Sequence, residues 1–431
     1  MIPTIFDLAY LAVSPVAAPV LLHRRITRGK YRESLPAMFG RHLDDENPVL
    51  WRNGCVWVHA VSVGEVVAAR AMLPLLRARF ANLPLLLTTV TETGQAQAGR
   101  LPPGLADAVR YFPADFSWVV RRFAATYRPQ VFVTMETELW PNVLMYLGAV
   151  GTKAFVFNGK VGERSFARYR LAAPLLRRPL RQVRAYCMQT PADAARMAAL
   201  CGDESRVFVT GNCKFDNAGQ PLEPEAAQRL RRECGLEGSE KVIVAGSTHP
   251  GEEEILFDAF ESLRRSHPDC VLILAPRHPE RFDAVWALAR QRGLAGRRLS
   301  DDSVTDTPVK PGQVVLVDRM GVLASLYGLA HVAVVAGSFV PGIGGHNLLE
   351  PAVHGVPVVF GPFAGNQPDM VQILSGGNGG VVAEPSRLAD TLARLLGDEA
   401  ERSRLGKAAQ AALLANQGSA SRNMEIMERF L

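Results

Sequence analysis

Short apolar runs alternate with segments of helical periodicity along most of this chain. The runs are rich in Val, Ile and Leu, and each is followed by turn residues and then by apolar positions three and four apart. We predict buried strands at residues 56–63, 85–90, 131–135, 154–157, 242–245, 271–275, 314–317, 332–335 and 358–360. Apolar strands that alternate with helices are typical of doubly wound parallel sheets covered on both faces. The pattern therefore predicts the α/β class.

The chain has 431 residues, which is too long for one ordinary core. A polar, Pro-containing run at 217–224 separates two sets of strands, so we predict two Rossmann-like domains, at 31–218 and 219–410. Ligands collect at the carboxyl ends of parallel strands, and we expect the two domains to face a cleft there. The last helical stretch begins near residue 400, and its end, 411–431, is expected to cross back to the first domain.

Residues 1–30 form a separate segment in this prediction. Residues 2–22 are mostly apolar, interrupted by Asp7, Pro15 and Pro19. Basic residues come after the apolar run, at His23, Arg24, Arg25, Arg28 and Lys30. A cleavable signal peptide carries its charges before the run, so the order favours a membrane anchor or interfacial helix whose following domain stays on the cytoplasmic side. An amphipathic helix docked on the protein explains the pattern equally well.

Charge and cysteine content limit the classes of partner and cofactor that the protein is expected to bind. The formal net charge is +6 and the pI is about 9.1, which suits an anionic membrane surface or a phosphorylated substrate. Basic residues do not alternate with aromatic residues in any groove-like pattern, which argues against nucleic acid. The six cysteines include no CxxC pair, so neither a zinc site nor a disulfide framework is expected. These features predict a reducing, cytoplasmic setting.

Carboxylates follow two predicted strands of the first domain. Glu65 comes just past the first strand at the start of a helix, where it could take a proton from a hydroxyl group. The alternative is a helix-end acid that only complements the helix dipole. Glu136 and Glu138 follow the strand at 131–135 and could bind a sugar or orient a base, although Glu138 could equally cap the next helix.

Basic side chains follow a third strand of the same domain. Asn158 and Lys160 stand directly after it, and Arg164, Arg168 and Tyr169 lie a few residues further on. Such a group could contact an anionic substrate. Ordinary surface charge is the alternative for the arginines.

A glycine-rich stretch in the second domain predicts a phosphate site. The strand at 332–335 leads into a turn containing Gly337, Gly342, Gly344 and Gly345, and a helix is expected from about His346. Glycines allow close backbone approach, and a helix N-terminus favours negative charge. Glu350, about one turn into that helix, could accept hydrogen bonds from ribose hydroxyls. A turn that merely needs small residues is the alternative.

Two further strand ends in this domain carry candidate residues. The turn at Ser247 and Thr248 could receive phosphate oxygens. Arg277 and His278 could contact an anion or act as a base, with a solvated rim as the alternative.

Seven motifs together identify a family. They are SVGE at 62–65, METELWPN at 135–142, NGK at 158–160, VTGNCKFD at 209–216, GSTHPGEE at 246–253, PRHPERF at 276–282 and GGHNLLEP at 344–351. In this order they closely resemble the 3-deoxy-D-manno-octulosonic acid (Kdo) transferases of lipopolysaccharide synthesis, glycosyltransferase family 30. The resemblance covers essentially the whole chain. It implies the GT-B fold and an inverting glycosyl transfer.

The resemblance also implies substrates, roles and location. The donor would be CMP-Kdo and the acceptor the phosphorylated glucosamine disaccharide of a lipid A precursor (lipid IVA), with neither a cofactor nor a metal. Glu65 would be the general base and Glu138 a second essential acid. The donor-binding residues would be Lys214, Ser247, Thr248, Arg277, His278, Gly344, Gly345, Asn347 and Glu350. The acceptor-binding residues would be Ser62, Gly64, Asn158, Lys160 and Arg164. The enzyme would be held at the cytoplasmic face of the inner membrane.

Two departures from the family pattern accompany these motifs. The segment YRESLPAMFGRH at 31–42 lacks a Gly-Glu-Arg that many relatives carry, and Ala336 stands where a double glycine is usual. Two other functions are compatible with the residues. One is a GT-B transferase with another nucleotide sugar or lipid acceptor, and the other is a non-catalytic scaffold at the membrane.

Overall fold

Two compact units, each built on one parallel sheet, make up the chain. The structure is a computed structural model that describes residues 4–28, 32–301, 308–377 and 379–431. Unit 1 comprises Met1–Asn217 and Asn416–Leu431, and unit 2 comprises Ala218–Ala415. The sequence predicts these boundaries at 218/219 and 410/411, one and five residues from the observed ones. Unit 2 is therefore a continuous segment inserted before the last helix of unit 1.

Unit 1 alternates strands and helices. Its strands are β1 (Cys55–His59), β2 (Leu85–Thr89), β3 (Ala108–Tyr111), β4 (Pro129–Met135), β5 (Lys153–Gly159), β6 (Val183–Met188) and β7 (Val207–Val209). Its helices up to the linker are α1 (Ile5–Arg28), α2 (Ser34–Met38), α3 (Val63–Arg79), α4 (Glu92–Ala98), α5 (Ser117–Tyr127), α6 (Pro141–Ala149), α7 (Glu163–Leu180) and α8 (Pro191–Cys201).

Unit 2 repeats this alternation. Its strands are β8 (Lys241–Thr248), β9 (Cys270–Pro276), β10 (Gly296–Arg298), β11 (Val314–Leu316), β12 (Val332–Val335), β13 (Val358–Phe360) and β14 (Gly380–Val382). Its helices are α9 (Pro224–Glu233), α10 (Glu252–Ser266), α11 (Phe282–Gln291), α12 (Leu323–Leu326), α13 (Leu349–Val353), α14 (Pro368–Gly376), α15 (Leu388–Gly397) and α16 (Glu399–Asn416).

Both sheets are parallel and seven-stranded in the described residues. The strand order is β3-β2-β1-β4-β5-β6-β7 in unit 1 and β10-β11-β9-β8-β12-β13-β14 in unit 2. The central strands are buried along their whole length because helices cover both faces, which is why they read as continuous apolar runs. In unit 1, α5, α6, α7 and α8 pack on one face, and α3 and α4 pack on the other.

The nine predicted strands are all present, with ends shifted by up to four residues. The pattern missed β3, β6, β7, β10 and β14. Four of these, β3, β7, β10 and β14, are the edge strands of the two sheets, and each has only three or four residues. β10 also has the sequence GRR, which carries no apolar signal. In β6, Arg184 is exposed and interrupts the apolar run.

The N-terminal helix docks on unit 1 through one buried carboxylate. Asp7 is fully buried and accepts hydrogen bonds from the Ser117 backbone N–H at 2.8 Å and from Asn142 Nδ2 at 3.1 Å. Ser117 begins α5 and Asn142 lies in the first turn of α6, so Asp7 ties α1 to two helix N-termini. The Tyr10 hydroxyl adds a 2.7 Å bond to Asp115, which caps α6.

Other apolar side chains of α1 are exposed, with Ile5, Leu8, Leu11, Val13 and Val16 between 47% and 74% accessible. In the part of the chain that the structure describes, no helix is both long enough and apolar enough to cross a membrane. Of the predicted basic flank, Lys30 lies outside the described residues. The structure does not describe the side chains of Arg24, Arg25 and Arg28 either.

The predicted C-terminal helix is two helices that belong to different units. α16 ends at Asn416, and α17 (Ser419–Phe430) packs in unit 1 against α3 and β6. Gly418 separates them with a φ of +83°, a conformation that favours glycine. The Asp216 carboxylate accepts the backbone N–H groups of Gly418 and Ala420 at 2.6 and 2.7 Å, so it fixes the start of α17.

Replacing Asp7 by alanine should destabilise unit 1. The substitution leaves the Ser117 N–H and the Asn142 amide without their buried acceptor, which costs about 2–4 kcal/mol of unfolding free energy. Tryptophan fluorescence during denaturation suits the measurement, because unit 1 holds Trp51, Trp57, Trp118 and Trp140.

The matched control is Asp44→Ala. The Asp44 carboxylate is 79% exposed and pairs with Arg122 at the surface, so its loss should leave stability nearly unchanged. Equal effects of the two substitutions would contradict the anchoring role of Asp7.

Candidate active site

The strand order of each sheet reverses at one point, and that point locates the candidate site. In unit 1 the reversal lies between β1 and β4, and in unit 2 it lies between β8 and β12. The connections that leave the carboxyl ends of two such strands run to opposite sides, which opens a crevice at that edge of the sheet. The predicted acids follow β1 and β4, and the predicted phosphate turns follow β8 and β12.

Glu65 lies in the first turn of α3, just after β1. Its Oε2 accepts the Val61 backbone N–H at 2.8 Å and its Oε1 accepts the Ser62 hydroxyl at 3.0 Å. The side chain is only 5% exposed. Both bonds come from residues that precede α3, so Glu65 ties the end of the β1 connection to the start of the helix. A carboxylate offers about four acceptor positions, so these two bonds leave capacity for a substrate hydroxyl.

The surroundings of Glu65 favour its protonated form. Burial raises the pKa of Glu65 to about 8, and the negative charges of Glu136 and Glu138 add to the rise. The hydrogen bonds from Val61 and Ser62 oppose it. A carboxyl group whose pKa is near neutrality accepts and returns protons more readily than an ordinary glutamate, which suits a general base.

Glu136 and Lys214 form an ion pair next to this acid. Lys214 Nζ lies 3.7 Å from Glu136 Oε1, and a Cβ atom on Gly64 would lie 3.8 Å from the same Nζ. Lys214, predicted as a donor contact, therefore lies in unit 1 beside the predicted acceptor residues Ser62 and Gly64. Glu138 is half-buried, and both burial and the charge of Glu136 raise its pKa.

The connections after β4 and β5 are locked together. The Thr137 hydroxyl donates to the Lys160 carbonyl at 2.7 Å and accepts the Lys160 N–H at 3.0 Å. Glu136 and Asn158 both have left-handed backbones, with φ values of +54° and +56°, a conformation that costs non-glycine residues energy and is concentrated at functional sites. This lock holds the segment bearing Glu138 in place.

Asn158 supports the site from beneath. It is fully buried, its Oδ1 accepts the Cys213 N–H at 2.9 Å, and its carbonyl accepts Gln189 Nε2. This side chain therefore positions the segment that carries Lys214. Arg164 is exposed at the start of α7, and within the described residues no hydrogen bond or ion pair joins it to the acids.

A second buried carboxylate shapes the glycine-rich turn of unit 2. Glu252, the first residue of α10, accepts backbone N–H groups of Gly337, Ser338, Phe339 and His249 at 2.7–3.0 Å. Burial raises the pKa of Glu252, and these four bonds oppose the rise. The N–H groups expected to receive phosphate are therefore already occupied at 337–339. Gly345 N–H also has an acceptor, the Gly337 carbonyl at 2.7 Å.

Glycine is required in this turn for close approach. A Cβ atom on Gly337 would lie 2.6 Å from the His346 ring, and one on Gly344 would lie 2.1 Å from the Asn366 amide. Both glycines also have positive φ, at +74° and +93°. The turn is therefore a packed structure that presents His346 and Asn347.

The helix after this turn begins later than predicted. α13 starts at Leu349, not near His346, because Asn347 Oδ1 accepts the Leu349 N–H at 3.1 Å and holds the preceding residues outside the helix. Asn347 Nδ2 also donates to Glu350 Oε1 at 3.2 Å. Burial raises the pKa of Glu350, while Asn347 and the Arg277 charge lower it. Asn347, Glu350 and Arg277 therefore share one region.

Three connections of unit 2 meet at a group of histidines. His249, His278 and His346 follow β8, β9 and β12, and the His249 ring centroid lies 5.3 Å from that of His278 and 5.0 Å from that of His346. Ser247 has a φ of +61° beside this group, and Thr248 is buried and donates to Glu253. Sequence reasoning named His278 but missed His249 and His346. Their positions within the GSTHPGEE and GGHNLLEP motifs were the available signal.

An open depression of about 660 Å³ lies elsewhere in unit 1. Arg128, Gln130, Thr152 and Lys153 line it, at the amino ends of β4 and β5. The candidate acids lie at the opposite edge of the sheet. The depression therefore does not belong to the candidate site.

Comparison with known proteins agrees with the motifs. The family model described as 3-Deoxy-D-manno-octulosonic-acid transferase (kdotransferase) matches residues 31–217. A 3-deoxy-D-manno-octulosonic acid transferase from Haemophilus influenzae is 33% identical over 387 residues, which cover 87% of this chain and 87% of the relative. One from Bordetella pertussis is 32% identical over 438 residues, 99% of each chain.

Solved structures confirm the predicted fold class, α/β with two Rossmann-like sheets of the GT-B type. A UDP-GlcNAc 2-epimerase from Neisseria meningitidis has a TM-score of 0.55 at 11% identity, covering 87% of this chain and 99% of its own. A glycosyltransferase from Rickettsia africae has a TM-score of 0.52 at 12% identity, covering 88% and 99%. At these identities the likeness concerns the fold alone.

Replacing Glu252 by glutamine should loosen the glycine-rich turn. The amide NH₂ would face backbone N–H donors that now bind a carboxylate, at a cost of about 2 kcal/mol. Hydrogen exchange of the amides at 337–339, followed by mass spectrometry, should therefore accelerate about 30-fold if local opening governs exchange.

Glu254→Gln is the matched control, because Glu254 lies on the same first turn of α10 but is exposed. Its exchange rates at 337–339 should equal those of the parent. Unchanged rates in Glu252→Gln would show that the carboxylate does not hold the turn.

Proposed function

Because the chain belongs to the 3-deoxy-D-manno-octulosonic acid transferase family, we propose that it moves Kdo from CMP-Kdo to a lipid A precursor with inversion at the anomeric carbon. The observation that carries this proposal is the environment of Glu65. A buried carboxyl group with a pKa of about 8 stands at the strand-order reversal of unit 1, beside two further acids. The acceptor is the phosphorylated glucosamine disaccharide of lipid IVA.

Glu65 acts as the base in the proposed step. A free lone pair of its carboxylate takes the proton of an acceptor hydroxyl, and the hydroxyl oxygen forms a bond to the anomeric carbon of Kdo. The bond from that carbon to the phosphate oxygen breaks on the opposite face, and CMP leaves with the electron pair. Displacement from the opposite face inverts the configuration. Lys214 and Lys160 offer positive charge to the acceptor phosphates, and Glu138 binds sugar hydroxyls.

Donor binding is assigned to unit 2. Glu350 and Asn347 lie within reach of one another and suit the ribose hydroxyls, and Arg277 supplies positive charge for the phosphate. The backbone N–H groups of 337–339 are left out of this assignment because Glu252 occupies them. We propose that no metal ion takes part and that cationic side chains stabilise the leaving phosphate instead.

Glu65→Gln should remove the base while leaving donor binding intact. Glutamine keeps the size of the side chain and an acceptor for Val61, but it cannot take a proton, so we expect kcat to fall by about 10²–10⁴-fold. The assay uses CMP-Kdo and lipid IVA and weighs the product by mass spectrometry, which also counts the sugars added. Because no metal ion takes part in the proposed step, the activity of the parent enzyme should be the same with and without EDTA.

Glu92→Gln serves as the control, since Glu92 is the exposed first-turn acid of the neighbouring helix α4.

The pH dependence of the parent enzyme gives a second test of the base. Below a pH of about 8 Glu65 is increasingly protonated, so kcat/KM of the parent should rise with pH and level off above that value. Glu65→Gln activity within a few-fold of the parent would rule the base assignment out.

We also propose that α1 and α7 hold the enzyme at the cytoplasmic face of the inner membrane. Leu8 and Leu11 on α1, and Leu171 and Leu175 on α7, are between 47% and 85% exposed. On α7 these leucines are flanked by exposed arginines, including Arg168 and Arg178. An apolar stripe with basic neighbours suits the surface of an anionic bilayer.

Replacing Leu8 and Leu11 together by serine should weaken membrane binding about tenfold, because two exposed leucines no longer enter the bilayer. Co-sedimentation with vesicles containing phosphatidylglycerol measures the effect. Leu414→Ser, at a leucine of α16 that is 61% exposed, is the control and should leave binding unchanged. Equal binding by the Leu8/Leu11 variant and the parent would remove α1 from the membrane contact.

A further inference from the structure

Two histidines of unit 2 are joined nitrogen to nitrogen. His249 Nε2 and His346 Nε2 are 2.7 Å apart, and the planes of the two rings are within 5° of parallel. At this distance one Nε2 must carry the proton and the other must accept it, so the couple holds a single proton between its two Nε2 atoms. Within the described residues, neither Nδ1 atom has a hydrogen-bond partner, and both remain available to a ligand.

The side chains that act electrostatically on this couple are two arginines and a third histidine. Arg277, Arg281 and His278 act on His249, and Arg277 and His278 act on His346. All three follow β9, on the connection that runs into α11. Their charges and the burial of the rings disfavour a protonated imidazole. Burial and these neighbours lower the pKa of His346 to about 4, and they also lower the pKa of His249.

The nearby acids are engaged with other groups. Glu252 binds the four backbone N–H groups described above, and Glu253 binds Arg281 and the Thr248 hydroxyl. Glu350 accepts from Asn347, and Glu280 lies 3.9 Å from His278 Nδ1. Among the described residues the couple therefore has no carboxylate partner of its own, and the lowered pKa values of both rings favour its neutral form in the free protein. An anion from outside can supply the missing negative charge.

We propose that the His249–His346 couple is a proton-linked anion site, which takes up one proton from solvent when unit 2 binds the phosphodiester of its nucleotide donor. The inference rests on the donor proposed above. The couple lies where the connections after β8 and β12 meet, beside Arg277, so a phosphate held by Arg277 faces the two imidazoles. Once protonated, both rings carry N–H donors and share one positive charge.

Linkage gives the sign of the pH dependence. The anion stabilises the protonated couple and so raises its pKa on binding. Between the pKa of the free couple and that of the bound couple, each anion bound brings up to one proton with it. Donor affinity in that window therefore falls by up to about tenfold per pH unit as pH rises. Below the window, where the free couple is already protonated, affinity is independent of pH.

Titration calorimetry with the full chain tests the proposal. The probe is the methyl ester of CMP, whose phosphodiester does not itself titrate near neutrality, and cytidine is the uncharged control. Binding enthalpies measured at pH 7.5 in HEPES and in Tris differ by the protons taken up multiplied by the difference in buffer ionisation enthalpy. We expect an uptake of about 0.5–1 proton for CMP methyl ester and none for cytidine.

Three variants identify the group that takes up the proton. H249Q/H346Q should bind CMP methyl ester with no proton uptake, whereas H354Q, at another half-buried histidine of unit 2, should keep it. H278Q should also keep the uptake, because it leaves the couple in place. Thermal denaturation of each variant shows whether it is folded. The proton uptake of the parent tests the inference without any substitution, so misfolding of a variant cannot affect that measurement.

The outcomes are distinct. Binding of CMP methyl ester by the parent without proton uptake overturns the inference and leaves the proposed donor standing. Uptake that survives in H249Q/H346Q or disappears in H278Q also overturns it. If the parent does not bind CMP methyl ester at all, the proposed donor is wrong, and the inference that depends on it is wrong as well.

Discussion

Buried carboxylates that bind backbone N–H groups organise the carboxyl edges of both sheets. Asp7 and Asp115 do so at the starts of α5 and α6, Glu65 does so at the start of α3, and Glu252 holds the turn after β12. Helix starts and turns expose N–H groups that have no partner within their own segment, and a buried acid satisfies several at once. The loops around the candidate site owe their shape to these bonds, so the same residue type serves both structure and chemistry there.

Glu65 illustrates how closely these two uses are joined. Its bonds to Val61 and Ser62 hold the chain where β1 leads into α3, and they also fix the direction in which its remaining lone pairs point. Burial gives the fixed carboxyl group a raised pKa. A carboxylate with the same bonds at the surface would have the geometry without the basicity. Burial thus gives an acid that is fixed by local hydrogen bonds the raised pKa on which its proposed role depends.

The fold was predictable because the spacing of apolar residues and the length of each apolar run distinguish buried strands from helices. Central strands such as β1 and β9 are buried throughout and read as unbroken apolar runs, whereas β10 pairs only at an edge and its sequence, GRR, carries no apolar signal. Within the site, the residue types at strand ends were visible, but their partners were not. That Asn158 is a buried support, or that His249 meets His346, depends on contacts between segments 55 and 97 positions apart. Turn chemistry hid one boundary as well, since the Asn347 side chain delays α13 to Leu349.

The connectivity of the chain has a consequence for biosynthesis. Unit 2 is one uninterrupted stretch, while unit 1 needs α17, whose Ile426 and Met427 lie in the core cluster with α3 and β6. During translation the first domain emerges first but must wait, with that part of its core uncovered, until about two hundred further residues have been made. The inserted domain can complete its own core in the meantime. Unit 1 can thus complete its core only after all of unit 2 has been synthesised.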